Sequence, residues 1–328
     1  MEFEKSCQQI EFELTDKFMD KKYDSHLLVE SYRRLGFEER ANRVFFCGTD
    51  LDFRIPADYS DTPKLYRANF CKDRLCGMCT WRRSLKVFGQ VSQVMDLLEK
   101  DYAFVFVTFT LENCAASELK RKLDHMQKSF ETFRHRKRVK QAFKGCFKAI
   151  ELTHDPDKPR HHQYHYHLHC IFAVRKGYFK GKDYIKQAEL RDLWCDCCHI
   201  NYDPIVDIRK VKPEVGEEGI SLGGAVAEIA KYTVKPAEIF RGTNDEVDAA
   251  VETLLGALSS RRLCSFTGVF KEAARKLKLD DLTDGDLVNT DNQKVRSDVG
   301  WLIVKYKWQV GCGYVRECAW FEESEEKE

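Results

Sequence analysis

A chain that contains Tyr164-His165-Tyr166-His167-Leu168-His169-Cys170 has few ways to fold around that segment. Alternation of imidazoles with bulky residues is a strand pattern, because successive side chains of a strand leave on opposite faces. His165, His167 and His169 then share one face, while Leu168, Cys170 and Phe172 take the other. Cα atoms two apart on a strand lie roughly 6.5 Å from each other, a span that two imidazoles close around one divalent ion. Three of the ten histidines of the chain fall in this alternation, which favours ligands over chance surface residues.

Neighbouring segments supply partners for that strand. Residues 104–111, FVFVTFTL, read as a central strand with Thr108 and Thr110 on one face and Val107, Phe109 and Leu111 on the other. Residues 145–153 read as another, with Phe147, Ala149 and Glu151 sharing a face, and the polar loop HDPDKPRHHQ leads from it to residues 164–174. Strands joined by a turn-rich loop pair antiparallel, which brings the Glu151 carboxylate toward an ion held by His167 and His169. His154, His161 and His162 lie around the loop and are expected to be exposed.

A helical stretch near residues 184–195 and a strand at 205–211 follow, and SLGG then opens the helix AVAEIAKYTVK, which Pro236 stops. Glu228 and Tyr232 stand four apart on one face of that helix. Lys231 and Lys235 would favour the phenolate of Tyr232 and attract phosphate. Strands mixed with helices in this order give an α+β fold, a central antiparallel sheet flanked by helices.

Cys71, Cys76 and Cys79 have the C-x4-C-x2-C spacing of a structural zinc site, and Cys47, 24 residues upstream of Cys71, is the natural fourth ligand. Arg74, Arg82 and Arg83 surround this module with charge suited to phosphates. Cys195, Cys197, Cys198 and His199 form a second cluster, but adjacent cysteines make poor closed sites and it is read as free thiols.

Composition narrows the classes. Hydrophobic residues at 43% and aromatics at 12% exclude a mostly disordered chain, and an apolar run no longer than Tyr102 to Val107 excludes a spanning helix. Charges throughout the first twenty residues leave no apolar signal region, so the cytoplasm is expected and the 14 cysteines are expected to be thiols or metal ligands. The formal net charge is only +1, yet residues 120–148 carry eleven Lys/Arg against Asp124 and Glu131, a local excess of nine. A polyanionic partner fits that segment.

The blocks FCKDRLCGMCTWRRSLK, FVFVTFTLEN, YHYHLHCIFAVRKGYF and EIAKYTVK, in this order, resemble the replication initiators of rolling-circle plasmids of Gram-positive bacteria, within the HUH endonuclease superfamily. RRLCSFTGVFKEAARKLKLDDLTDGDL resembles them too, so the likeness covers roughly residues 45–310. This chain has Tyr166 where the family usually has proline in its H-P-H-x-H block, and Gly77 where it usually has proline in C-P-x-C; neither change removes a ligand.

The resemblance implies a metal-dependent enzyme that nicks and rejoins origin DNA through a covalent 5′-phosphotyrosine. His167 and His169 would bind Mn²⁺ or Mg²⁺ with Glu151 as third ligand, and His165 would either bind or orient His167. Tyr232 would be the nucleophile, and Glu228 would activate water for the terminating cleavage. Origin DNA would be single-stranded or extruded at the nick. With no G-x-x-x-x-G-K-[ST] motif present, a host helicase and a polymerase are implied as partners, and no membrane.

On this reading residues 1–45 are a helical segment without an assigned role, 46–100 the zinc module and a basic helix, and 101–240 the nicking core. Residues 241–315 extend the same domain, and 316–328 form an acidic tail. A non-catalytic zinc-dependent DNA-binding regulator, or an HUH transposase or relaxase, would share parts of this pattern.

Overall fold

The computed structural model describes residues 7–58, 62–160, 163–212, 220–230, 236–290 and 300–322. In chain order its helices and strands are α1 (Cys7–Arg34), α2 (Glu38–Phe45), β1 (Asp50–Pro56), β2 (Lys64–Ala68), α3 (Gly77–Leu98), β3 (Tyr102–Thr110), α4 (Ala116–His135), α5 (Lys137–Ala142), β4 (Phe143–His154) and β5 (Tyr164–Arg175). There follow α6 (Gln187–Cys198), β6 (Val206–Lys212), β7 (Ile220–Ser221), α7 (Leu222–Ile229), α8 (Pro236–Ile239), α9 (Asn244–Leu258), β8 (Cys264–Gly268), α10 (Val269–Lys276), β9 (Trp301–Gln309) and β10 (Gly313–Glu322). The chain divides into two compact units, residues 1–83 with 286–328, and residues 84–285.

The first unit holds a four-stranded antiparallel sheet in the order β10-β9-β1-β2. Leu51 and Phe53 of β1 stand opposite Tyr306 and Val304 of β9, all buried. Helix α1 seals this sheet with Phe18, whose ring meets Phe53 edge-on at 5.6 Å and Trp81 at 4.9 Å. This unit corrects the boundaries expected from sequence. Residues beyond 285 belong with the N-terminal segment rather than extending the other domain, and the expected acidic tail is an edge strand as far as Glu322. The acidic run EESEEKE begins only at the last residue of this strand, and the strand itself, GYVRECAWFE, is rich in aromatic and β-branched residues that suit it. Arg54 pairs with Glu322 at 3.1 Å across the sheet.

The second unit is a six-stranded sheet in the order β7-β6-β3-β5-β4-β8, antiparallel except for the short β6–β7 pair. One face is covered by α3, α7 and α10, where Val91, Val94, Ala225, Val226, Phe270 and Ala273 bury Phe104, Phe106, Phe147 and Ile171. On the other face α4 and α6 close over an aromatic core. There Phe109 lies 5.1 Å from Phe133 and 4.8 Å from Trp194, and Phe143 stacks on Phe172 at 4.3 Å. Burying each such ring contributes about 1.5–3 kcal/mol.

The basic stretch expected as one helix breaks at Arg136, whose extended backbone separates α4 from α5. Five of its eleven cations are paired with acidic side chains among the described residues, Arg121 with Glu118 and four others. Arg136 meets Asp196, Arg138 binds Glu189 at 2.6 Å, and Arg134 and Lys148 both approach Glu131. Because α4 buries Leu119, Leu123, Met126, Phe130 and Phe133, it lies on the sheet face opposite the histidines. Pro236, expected to stop a helix, is the first residue of α8, a position that tolerates its missing N–H.

Strand β8 approaches β4 through two glycines. A Cβ at Gly145 would meet Val269 N at 2.6 Å and the carbonyl of Thr267, and Gly268 adopts φ +52°. Gly145→Ala should therefore cost about 2–3 kcal/mol in denaturant unfolding. Gly177→Ala, where nothing lies within 4 Å of the new methyl, should leave stability nearly unchanged.

Candidate functional site

Strand β5 pairs with β3 on one side and β4 on the other. His169 therefore stands in a cross-strand row with Thr108 and Ala149, and His167 in the next row with Thr110 and Glu151. The side chains of these rows leave on one face, as period two requires. Glu151 Oε2 lies 2.9 Å from His167 Nε2 and 2.7 Å from His169 Nε2, and the two ring nitrogens are 2.8 Å apart. All three residues are buried. Burial alone would raise the carboxyl of Glu151, but hydrogen bonds and charge from the two imidazoles outweigh it and hold the group well below the usual carboxylate range.

Polar neighbours fix this cluster from β3 and the loop after it. Thr108 Oγ1 lies 3.1 Å from His169 Nδ1, and the Phe106 ring packs against the same imidazole at 5.4 Å. His165 does not join the three-atom cluster. Its Nδ1 engages Asn113 Oδ1 at 2.7 Å, its ring lies 5.0 Å from that of His167, and burial, with the charge of His167, lowers its pKa. The alternation that identified the histidine face also put Thr108 on one face of its strand. The hydrogen bond to His169 depends on the register between strands far apart in sequence.

Helix α7 packs Ala225 and Val226 into the core on the histidine face and carries Glu228, half-buried, near its end. Lys231, Tyr232 and Lys235 lie outside the described residues, as do His161 and His162. His154, expected to be exposed, is the last residue of β4 and is buried against the Tyr164 ring at 4.8 Å.

A second cluster lies in the first unit. The sulfurs of Cys47, Cys71, Cys76 and Cys79 gather within 4.8 Å of one another. Separations of 3.5 Å for Cys47–Cys79, 3.6 Å for Cys71–Cys79 and 3.7 Å for Cys47–Cys76 are far longer than a disulfide. They approach the roughly 3.8 Å edge of a tetrahedron with 2.3 Å metal–sulfur bonds. Backbone N–H groups of Cys71, Lys72 and Asp73 donate to these sulfurs at 3.2–3.4 Å. Hydrogen bonds from the other three cysteines pull the Cys76 thiol well below its usual range despite complete burial.

The N-terminal segment, without a role in the sequence reading, encloses this cluster. Lys22 donates to the carbonyls of Phe45 and Cys47 at 2.5 and 2.7 Å, and Ser25 Oγ lies 3.4 Å from Cys76 Sγ. Buried Asp73 accepts from Tyr32 Oη at 3.0 Å, Arg40 at 2.9 Å and Leu75 N at 2.9 Å.

The arginines expected to face phosphates differ among themselves. Arg82 is a correction: it is buried, with Nε on the Leu287 carbonyl at 2.8 Å and Nη2 on that of Val288 at 2.6 Å, so its guanidinium pins a loop. Arg83 donates to the carbonyls of Lys72 and Asp73, and Arg74 is half-buried. Cys195 is half-buried and Cys197 and Cys198 are buried, and among the described residues they form no metal-ligating group with His199.

A replication protein family profile matches residues 62–315. The chain belongs to the replication protein family. It is 35% identical to a "Protein rep" of Bacillus amyloliquefaciens over 313 residues, covering 89% of this chain and 91% of that one. A "Protein rep" of Streptococcus pneumoniae serotype 2 is 35% identical over 84% of both chains. One from Staphylococcus aureus is 30% identical over 68% of this chain and 94% of the relative. No solved structure matches. Family membership bears out the resemblance to plasmid replication initiators drawn from the motif order, and no helix among the described residues is long and apolar enough to cross a membrane.

Removing Asp73 leaves the Tyr32 hydroxyl and the Leu75 amide without their acceptor in a buried setting. Asp73→Ala should lower stability by about 2–4 kcal/mol. It should also speed reaction of the four clustered thiols with a thiol reagent in the folded protein; unchanged stability and reactivity would deny Asp73 this supporting role.

Proposed function

We propose that this chain starts rolling-circle replication by nicking and rejoining one strand of a plasmid origin, as an HUH endonuclease with a tyrosine nucleophile. The observation that carries the reading is the meeting of Glu151, His167 and His169 within 2.7–2.9 Å on the sheet face covered by α7. Two imidazole nitrogens and a carboxylate oxygen at these separations suit a divalent ion with bonds of about 2.1 Å, whose octahedral edges are near 3.0 Å. Mn²⁺ or Mg²⁺ held there supplies Lewis-acid polarisation of the scissile phosphate and neutralises charge that develops on it.

The side chains of the chain do the rest. The Tyr232 oxygen attacks phosphorus, the bond to the 3′-oxygen breaks, and a 5′-phosphotyrosyl link forms while the freed 3′-hydroxyl primes synthesis. Glu228, on the helix leading toward Tyr232, takes a proton from water so that hydroxide makes the terminating cleavage without a second tyrosine. Lys231 and Lys235 draw in phosphate, and Arg74 and Arg83 lie at the cysteine module where DNA contact is expected. The four cysteines hold a structural Zn²⁺. The substrate strand is single or extruded where it enters. A host helicase and polymerase extend the new end in the cytoplasm.

The purified chain should be incubated with supercoiled plasmid carrying its origin, with Mn²⁺ or with EDTA, and resolved by denaturing electrophoresis. The expected result is a protein–DNA adduct that needs the metal and is lost in Tyr232→Phe while origin binding persists. His169→Ala should slow nicking on the order of 10²–10³-fold. Tight binding with neither nick nor adduct would sink the enzyme and leave a DNA-binding regulator. Elemental analysis should find one EDTA-resistant zinc per chain, absent from Cys79→Ser.

A further inference from the structure

Two threonines of the FVTFTL strand face the ligand side of the sheet, and their hydroxyls have different duties. Thr110, opposite His167, donates to the Ile205 carbonyl at 2.8 Å and so pins the segment entering β6. Thr108, opposite His169, places Oγ1 3.1 Å from His169 Nδ1. Among the described residues His167 Nδ1 has no hydrogen-bond partner, so His169 is the imidazole of the pair that is tied to β3. An imidazole that offers Nε2 to a metal carries its hydrogen on Nδ1, and an acceptor there fixes both tautomer and ring rotation.

We infer that Thr108 is a positioning residue for His169: its hydroxyl accepts the Nδ1 hydrogen and aims Nε2 at the point shared with Glu151 and His167. The inference rests on the metal reading of the preceding section. The Phe106 ring, tilted 30° from the imidazole at 5.4 Å, limits the ring from one side, and the hydroxyl determines its remaining rotation. Thr108 touches no reacting atom in this account and acts through the ligand.

Thr108→Val keeps the shape and β-branching of the side chain and removes the hydroxyl. Mn²⁺ binding, read by electron paramagnetic resonance of the free ion, should weaken about 10–100-fold. Thr108→Ser should restore most of it. Nicking by Thr108→Val should recover as Mn²⁺ is raised, since the defect lies in holding the ion. Thr110→Val should lower stability and leave Mn²⁺ affinity near that of the wild type.

Unchanged affinity in Thr108→Val, or an equal loss in Thr110→Val, overturns the inference while the metal reading stands. A wild-type chain that binds no Mn²⁺ and forms its adduct in EDTA overturns the metal reading and this inference together.

Discussion

The register of β5 between β3 and β4 decides what chemistry the sheet can offer. Slipping β5 by one residue would turn Tyr166, Leu168 and Cys170 toward Glu151 and send the imidazoles into the aromatic layer. That layer enforces the register. Leu168, Cys170 and Phe172 are buried beneath α4 and α6, and Phe172 stacks on Phe143. A slip would expose or misplace several of these residues at about 1.5–3 kcal/mol each, more than cross-strand hydrogen bonds recover when merely re-paired. The apolar face thus positions the polar one, and the ligands themselves need not be strongly attracted to one another.

The same packing makes the ligand cluster costly to bury. Glu151, His167 and His169 lie beside Phe106, Phe147 and Ala149 in a face otherwise sealed by helices. A buried carboxylate is tolerated when hydrogen bonds reach it, and both imidazoles lie within hydrogen-bond distance of Glu151. Ala149, opposite His169 and on the same face, adds only a methyl group to the row, which leaves the imidazole room to turn toward Glu151. A divalent ion bound there as proposed would add positive charge where the carboxylate already lies, so that binding and electrostatic relief would reinforce each other.

Period two in the sequence was enough to locate the histidine face, the strand of Glu151 and the antiparallel hairpin, because each of these is a local pattern. The four-stranded sheet was not legible. β1, DLDFRIP, mixes charges with apolar residues, and its partner β9 follows only after β8 and α10, so neither segment carries the pairing by itself. Arg82 shows a different limit. An arginine beside cysteines reads as a phosphate contact, while its burial against carbonyls 205 and 206 residues later has no sequence signature. Thr108 lies between these cases: its face was evident, and its partner depended on register.

The two clusters differ in what their donors leave available. Four sulfurs lie at separations near a tetrahedron's edge and take the N–H groups of residues 71–73, so an ion held by all four as proposed would have no position left for a substrate. A divalent ion held there as proposed would leave four thiolates with a net charge of −2, and the buried Lys22 ammonium stands where that charge would be felt. Burial pulls the ammonium toward its neutral form and negative charge on the four cysteines opposes that pull, so an ion bound as proposed would place thiolates and lysine in mutual support. This gives α1 a physical reason to enclose the cysteines. The histidine cluster has three donors of harder character and no fourth His, Cys, Asp or Glu among the described residues, so an ion bound there as proposed would keep a position for a phosphate oxygen. On the proposed function the four-sulfur cluster would hold backbone and the three-donor cluster would receive a ligand, a division that follows from donor count.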